Sequence, residues 1–271
     1  MKSSEKVLSA EVNGITISYK DSGTNNTPLI FIHGFHFSKS AWRPQLKALK
    51  DSYRVITYDI RGYGRSTAGS EPASMDLFAA DLIAFMDALG IEKAIVCGLS
   101  MGGYILTKAV ALCPERFEAI ILNNTRCIAN LEETRPHGPN VRRSGTLALK
   151  GFAESFIKTI FNKKTLKNKK IMVEEVKNLI LATPVRALTT TLQSMAQRRE
   201  SSTLLKSVSI PALIICGKNA GLIPLSPPGR MANVIHRSIM RAIKEAGQLQ
   251  SPGPPDELTA HIHNFLPGFL S

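Results

Sequence analysis

A serine between two glycines is the residue of this sequence whose surroundings best fit covalent chemistry. Ser100 lies in Gly98-Leu99-Ser100-Met101-Gly102, between the apolar run Ala94 to Cys97 and a stretch with helical periodicity. A sharp turn from a strand into a helix crowds the backbone and needs small residues on both sides. Such a turn also exposes the hydroxyl beside the positive end of the helix dipole. The spacing therefore predicts a nucleophile elbow with Ser100 as the nucleophile.

The composition is typical of a large globular chain. Its 271 residues are 44% hydrophobic, which is enough to bury one large core or a core with an insertion. The sequence contains no run of about 18 apolar residues, as a membrane span would require. Residues 1–6 also lack the apolar segment of a secretion signal. We therefore expect a soluble, cytoplasmic protein.

The formal net charge is +13, and much of the positive charge lies between Arg135 and Lys170. A basic surface attracts nucleic acid or an acidic membrane. No aromatic interleaving or nucleic-acid motif accompanies this charge, so we interpret the segment as a solvated helical face. We expect neither nucleic acid nor a membrane as a partner, and a monomer or homodimer as the assembly.

The four cysteines show no paired spacing. Two of them fall inside apolar, strand-like runs, where a reduced thiol packs as a small hydrophobic group. We therefore predict no disulfide framework and no metal site, and we expect no cofactor.

Strand-like and helical runs alternate along most of the chain, which predicts a mainly parallel sheet with helices on both faces. The first two strands are expected to form a hairpin around Asn13-Gly14, a strong turn signal. Strands are predicted at residues 7–12, 15–21, 29–32, 55–58, 94–97, 119–122, 213–216 and 239–243. Helices are predicted at residues 40–49, 75–89, 101–113 and 255–265.

The strand signals stop between Cys127 and Ser202, which predicts an inserted helical cap. The expected division is a core of residues 1–126 and 203–271 and a cap of residues 127–202. Amphipathic stretches are predicted at residues 148–161, 171–182 and 184–198. The segment 132–140 is rich in helix breakers and is predicted to be a loop.

Three motifs make the chain resemble the α/β-hydrolase fold over nearly its whole length. His33-Gly34-Phe35 follows the third strand, Asp59 to Ser66 follows the fourth, and Gly98 to Gly102 follows the fifth. Within that superfamily the chain looks most like single-chain bacterial esterases and enol-lactonases with a helical cap. The resemblance implies an eight-stranded, mostly parallel sheet and a structural role for His33. It also implies an oxyanion hole from the backbone N–H groups of Phe35 and Met101.

The resemblance also implies which residues should assist Ser100, and this sequence departs from the family at those positions. The acid position after the seventh strand holds Ala220, and the base position after the eighth strand holds Gln248. Glutamine cannot accept a proton near neutral pH. An alternative acid position at the end of the sixth strand falls on Asn123-Asn124, where an amide can at most accept a hydrogen bond.

Two histidines are candidates to replace the missing base. His36 directly follows Phe35, where a side chain can face the space above Ser100, and His137 lies in the loop after the sixth strand. Cys127 is a further pocket residue, conceivable as a thiol nucleophile paired with either histidine. Each of the three also has a structural interpretation as a pocket-wall or buried residue, and the sequence leaves both interpretations open.

Two functions of different classes follow. In the first, the protein is a serine esterase that hydrolyses a small ester through Ser100 with a relocated base such as His36 or His137. In the second, it is a catalytically inactive relative that binds a small apolar ligand beneath the cap. The substituted positions Asn124, Ala220 and Gln248 are expected around one pocket. Such a pocket was either selected for binding or rebuilt, by evolution or by engineering.

Overall fold

One sheet of eight strands forms the centre of the protein. The structure is a computed structural model, and it describes residues 6–127, 138–161, 163–217, 226–243 and 257–268. In chain order the strands are β1 (Leu8–Val12), β2 (Ile15–Asp21), β3 (Pro28–Ile32), β4 (Arg54–Tyr58), β5 (Ala94–Leu99), β6 (Phe117–Asn123), β7 (Ala212–Gly217) and β8 (Ser238–Ile243). Across the described part of the sheet their order is β1-β2-β4-β3-β5-β6-β7-β8.

Parallel pairing dominates the sheet. β3 pairs with β4 and β5, and parallel pairing continues through β6, β7 and β8. β2 is antiparallel to both β1 and β4. The predicted mostly parallel, eight-stranded α/β architecture is therefore confirmed. The carboxyl ends of β3 to β8 meet at one edge, the edge where open α/β sheets place their ligand sites.

The central parallel strands β3, β5 and β7 read as continuous apolar runs because helices cover both faces of a parallel sheet. Every residue of β5 and of β7 is buried. The observed strands match the predicted ones to within one or two residues at each end. β5 runs on through Gly98 and Leu99, since both residues still pair with β6.

The hairpin between β1 and β2 forms as predicted. Asn13 and Gly14 have φ angles of 46° and 72°, and Val12 pairs with Ile15 across the turn. Two central residues with positive φ give a turn whose twist matches that of the flanking strands.

Helices flank the sheet close to their predicted positions. A 3₁₀ turn at Lys39–Trp42 leads into α1 (Arg43–Leu49), so the predicted helix at 40–49 is divided in two. The next helices are α2 (Met75–Ala88) and α3 (Met101–Leu112). Ser74 caps α2 through its side chain, which accepts a hydrogen bond from the Leu77 N–H.

In the described ranges between β6 and β7 the chain forms five helices. They are α4 (Gly138–Ile160), α5 (Lys163–Asn168), α6 (Lys170–Ala182), α7 (Val185–Gln197) and α8 (Ser202–Lys206). α4 packs against α6 and α7. α9 (Ser226–Val234) precedes β8, and α10 (Glu257–Phe265) follows it. No helix in the described ranges is long and apolar enough to cross a membrane.

One prediction for this helical segment is wrong. Residues 138–140 are helical, because α4 begins ten residues before the predicted amphipathic stretch. Residues 132–137 of the predicted loop lie outside the described residues. The short helices α5, α8 and α9 were not predicted, since five to nine residues are too few for a clear helical period. The division into core and cap stays a prediction.

The segment after β4 is held in place by a buried carboxylate. Asp59 accepts hydrogen bonds from the backbone N–H groups of Lys39 (2.7 Å) and Arg65 (2.9 Å), and it pairs with the Lys39 ammonium. A Cβ atom on Gly64 would lie 2.3 Å from this carboxylate, so the turn has room only for glycine. Asp59 therefore fixes the loop after β4 against the 3₁₀ turn that follows β3.

A second buried ion pair belongs to the same motif. Arg61 donates two hydrogen bonds of 2.7 Å to Asp81 on α2, and both side chains are less than 5% exposed. Asn13 of the hairpin also donates to Asp81 (3.0 Å). The β1–β2 turn, the loop after β4 and α2 are thus joined at one point. The motif from Asp59 to Ser66 therefore supplies buried hydrogen bonds and ion pairs that hold neighbouring segments together.

Breaking that ion pair should destabilise the protein strongly. Asp81→Ala leaves the Arg61 guanidinium buried without its partner, and we expect a loss of about 3–5 kcal/mol in the free energy of unfolding. Urea denaturation measures this loss. The control is Asp76→Ala, which removes the exposed pair with Lys108 and should cost at most about 1 kcal/mol. Equal losses in the two variants would contradict the assignment.

Candidate active site

The chain turns sharply at Ser100, between the last residue of β5 and the first of α3. Ser100 has φ 52° and ψ −111°, an unusual backbone conformation for a residue with a side chain. Such strain persists only where the surrounding structure enforces it, and it is concentrated at functional sites. The predicted strand-to-helix turn is present.

Close backbone contacts explain why glycine stands on both sides of this serine. A Cβ atom on Gly98 would lie 2.4 Å from the carbonyl oxygen of Gly102. A Cβ atom on Gly102 would lie 2.5 Å from the carbonyl oxygen of Ile32, at the end of β3. The first turn of α3 therefore packs directly on the ends of β5 and β3. This contact forces the strained conformation on Ser100.

Main-chain hydrogen bonds fix Ser100 from three directions. Its N–H donates to the carbonyl oxygen of Asn123 (2.8 Å) at the end of β6. Its carbonyl oxygen accepts from the Gly103 N–H (2.9 Å) and from the Thr125 hydroxyl (2.8 Å). A Cβ atom on Gly103 would lie about 2.5 Å from the Thr125 side chain, so Thr125 covers the turn closely. Sequence reasoning missed Thr125 because only the tertiary fold brings it to Ser100.

His33 joins the loop after β3 to the loop after β4. Its Nε2 accepts from the Ile60 N–H (3.0 Å), so Nδ1 must carry the proton and donate to the Gly34 carbonyl oxygen (2.8 Å). Burial lowers the pKa of His33, which favours the neutral ring that this pattern requires. The hydrogen bonds support the structural role that the resemblance implies.

The same loop lies beside the turn at Ser100. A Cβ atom on Gly34 would approach the Leu99 carbonyl oxygen to 3.3 Å, which brings the chain before Phe35 close to the end of β5. Met101, the first residue of α3, follows Ser100 and is fully buried. Both residues predicted to form the oxyanion hole therefore belong to segments next to Ser100. Their catalytic role stays a prediction.

His36 does not hydrogen-bond to Ser100, which corrects the expectation of a relocated base at this position. The ring is fully buried, and neither nitrogen has a hydrogen-bond partner among the described residues. Its centroid lies 3.6 Å from that of Phe35, 4.8 Å from Phe156 and 5.0 Å from Phe152. Burial lowers the pKa of His36 well below its ordinary value, because the charged ring would lose its hydration there.

Cys127 is buried, and its carbonyl oxygen accepts the Ser201 N–H (2.9 Å) and the Arg198 guanidinium (3.2 Å). The Arg198 guanidinium lies 4.0 Å above the Tyr104 ring, a cation–π contact that sequence reasoning missed. A Cys127–His36 dyad is absent, since the His36 nitrogens have no partner in the described structure. His137 lies outside the described residues, and its dyad stays a prediction.

Asn124 joins the ends of β6 and β7. It is fully buried with φ 43°, and its Oδ1 accepts the Gly217 N–H (2.8 Å). Its own N–H donates to the Ile215 carbonyl oxygen (2.8 Å). The side-chain amide oxygen is thus bound to the main chain of β7, and a role of Asn124 beside a catalytic base stays a prediction. Ala220 and Gln248 lie outside the described residues, so their relation to Ser100 stays a prediction.

A cavity of about 720 Å³ opens beside the ends of β5 and β6, a volume suited to a small organic ligand. Leu99 and Asn123, which directly precede Ser100 and Asn124, form part of its wall. Apolar side chains from the 3₁₀ turn, α6 and α10 line much of the remainder, among them Trp42, Val176 and Leu258. The cavity wall therefore includes Leu99, the residue that precedes Ser100 in the chain.

Comparison with known proteins places this geometry in a family. Residues 27–249 match the family model described as the alpha/beta hydrolase fold. A 3-oxoadipate enol-lactonase of Acinetobacter baylyi is 30% identical over 222 residues, which are 80% of each chain. A pimeloyl-[acyl-carrier protein] methyl ester esterase of Aliivibrio salmonicida is 29% identical over 262 residues, 93% of this chain and 96% of that protein.

Solved structures match over almost the whole length. A thermophilic esterase from Thermogutta terrifontis has a TM-score of 0.89 and 28% identity, covering 98% of this chain and 100% of the esterase. The enol-lactonase of Burkholderia xenovorans also has a TM-score of 0.89, covering 96% of this chain and 100% of that chain. Its 24% identity supports the shared fold alone.

The buried imidazole of His36 should make stability depend on pH. The unfolded chain takes up a proton at this residue below pH 6.5, its ordinary pKa, whereas burial keeps the folded ring neutral to lower pH. The free energy of unfolding should fall on acidification below about pH 6.5, by up to about 1.4 kcal/mol per pH unit for this residue. His36→Phe keeps a ring in the aromatic shell and should flatten that slope.

Urea denaturation at pH 7, 6 and 5 measures the effect. The matched control is His263→Gln on the exposed face of α10, which should retain the wild-type slope. A wild-type slope in His36→Phe would contradict the burial of a neutral His36.

Proposed function

The chain belongs to the α/β-hydrolase fold family, and from that premise we propose that it cleaves small carboxylic esters or lactones through Ser100. The strained backbone of Ser100 carries this proposal, because the fold spends stability on holding a hydroxyl at the carboxyl edge of the sheet. The related esterases and enol-lactonases support the substrate class. Residues 1–126 and 203–271 would form the core and residues 127–202 the cap above the site.

In the proposed reaction, the Ser100 Oγ attacks the carbonyl carbon of the ester, and the carbonyl electron pair moves onto oxygen. The backbone N–H groups of Phe35 and Met101 stabilise this oxyanion. Collapse of the intermediate re-forms the carbonyl and breaks the ester C–O bond; the leaving oxygen takes up the proton that the serine hydroxyl has lost, so the alcohol departs and the acyl group stays on Ser100. Water then attacks the acyl carbon and releases the carboxylic acid and the free serine.

The rate of this reaction depends on a group that accepts the proton of the Ser100 hydroxyl. Gln248 holds the family position of the base and cannot accept it, and Ala220 holds the position of the acid. His36 is enclosed by phenylalanines, so it does not serve as a substitute. The acceptor is then water or His137, the second candidate base, which lies outside the described residues. Enzymes without their base keep about 10³- to 10⁴-fold acceleration over water from the oxyanion hole and binding, so we expect slow turnover of activated esters.

The cavity beside Leu99 and Asn123 supports a second candidate function. A protein that binds a small apolar molecule there, without hydrolysing it, would need the fold and the cavity but no base. Under this alternative, a bound ligand raises the melting temperature while ester hydrolysis stays at the buffer rate.

Covalent labelling tests the nucleophile directly. A fluorophosphonate probe should modify Ser100 stoichiometrically, although slowly, since labelling needs the hydroxyl and the oxyanion hole. Intact-protein mass spectrometry and peptide mapping detect the adduct, and Ser100→Ala serves as the control. An unlabelled Ser100 in folded protein would refute the proposed nucleophile and favour the binding function.

Restoring the two family side chains should raise activity. The double variant Ala220→Asp and Gln248→His supplies a base and the acid that orients it, and general base catalysis contributes about 10²- to 10⁴-fold. We expect a gain of that order in kcat/KM for p-nitrophenyl acetate, and little gain in either single variant because the two residues act as a unit. Adding Ser100→Ala should abolish the gain. A folded double variant without gain would contradict the assigned positions.

A further inference from the structure

A lysine-rich stretch between α5 and α6 ends at an exposed isoleucine. Residues 163–171, which comprise α5, Lys169 and the first two residues of α6, are here called the basic tip. Residues 163–170 contain five lysines and no acidic residue, namely Lys163-Lys164, Lys167 and Lys169-Lys170. Ile171 is 81% exposed, the most exposed large apolar side chain in the described part of the chain. The tip therefore combines positive charge with an uncovered isoleucine.

Both features are unfavourable for the protein in plain solvent. α6 has no acidic residue in its first turn, and Lys169 and Lys170 are its N-cap and first residue, where the positive end of the helix dipole disfavours cations. Ile171 exposes apolar surface that most of the fold buries. An anionic surface would neutralise the lysine charges, and an apolar layer beneath it would bury Ile171.

We propose that the basic tip docks on the surface of an anionic phospholipid bilayer. Lys167 and Lys170, whose side chains are exposed, contact the lipid phosphates, and Ile171 enters the boundary between headgroups and acyl chains. This proposal departs from the interpretation of the segment as a solvated helical face. The exposure of Ile171, which the sequence alone does not reveal, is the observation that favours membrane docking over a solvated helical face.

The chemistry of the tip favours a bilayer over nucleic acid. Both offer phosphates to the lysines, but only a bilayer offers an apolar environment to Ile171. Proteins that bind single strands stack bases on aromatic rings, and the basic tip contains no aromatic residue. The net charge of +13 adds a general attraction to either polyanion, so the position of Ile171 decides between them.

The acidic residues that follow determine how the tip meets the membrane. Glu174 and Glu175 lie on the exposed side of α6, one turn after Ile171, and an anionic surface repels them. Contact is therefore end-on, through the tip, and does not extend along α6. Met172 and Val176 line the cavity beside the candidate active site, so end-on docking brings that cavity close to the bilayer.

Vesicle sedimentation with the full-length protein tests this proposal. Vesicles of phosphatidylglycerol and phosphatidylcholine should retain the protein at low salt, with retention falling as salt increases, and pure phosphatidylcholine vesicles should not. Lys167→Glu with Lys170→Glu should weaken the partition coefficient about 30-fold or more. Ile171→Ser should weaken it several-fold while the charge is unchanged.

Matched controls separate the tip from the general positive charge. Lys93→Glu with Lys206→Glu makes the same charge change at exposed lysines near the amino ends of β5 and β7, the opposite edge of the sheet. Leu112→Ser removes another exposed apolar side chain, 60% exposed, at the far end of α3. Both controls should change binding less than about threefold. All variants should keep the wild-type melting temperature.

Three outcomes would overturn the proposal. One is equal weakening by the two lysine pairs, which would indicate attraction by net charge alone. Another is wild-type vesicle binding by Ile171→Ser. The third is binding of a DNA duplex that is as strong as vesicle binding, is weakened by the tip lysine pair and is unaffected by Ile171→Ser. None of these readouts depends on ester hydrolysis, so failure of the proposed function would leave this test unaffected.

Discussion

The direct contact between the start of α3 and the ends of β3 and β5 is the constraint on which the candidate active site depends. Gly98 and Gly102 have no Cβ atom, so backbone meets backbone there and no side chain intervenes. The chain between them has to turn within one residue, and Ser100 takes the strained conformation as a result. Backbone packing therefore fixes the chain at Ser100, and the hydrogen bond from the Thr125 hydroxyl supports it.

Buried polar ties then hold the neighbouring loops against this turn. His33 joins the loops after β3 and β4, and Asp59 joins the second of these loops to the 3₁₀ turn beside it. The Arg61–Asp81 pair extends the network to α2 and to the first hairpin. Each tie uses a group that would be costly to leave unpaired, so the loops have few alternative arrangements. The segment that carries Phe35 is rigid for this reason.

Local patterns made the sheet, most helices and the turn at Ser100 predictable, because apolar periodicity and glycine spacing act over a few residues. The contact between Thr125 and the Ser100 carbonyl was not predictable, since it depends on how β6 ends beside β5. His36 was a candidate base that could face Ser100, but its ring packs against phenylalanines of α4, more than a hundred residues later in the chain. The helical residues 138–140 differ from prediction because local breaker signals were overridden.

The hydrogen bond between the Asn124 side chain and the Gly217 N–H has an implication for how such a protein changes over generations. Asparagine and aspartate have nearly the same shape, and a carboxylate oxygen accepts from an N–H group at least as well as an amide oxygen does. The main chain thus already offers a donor to an acid at this alternative position. A lineage could introduce an acid there by a single, nearly isosteric exchange that keeps this hydrogen bond.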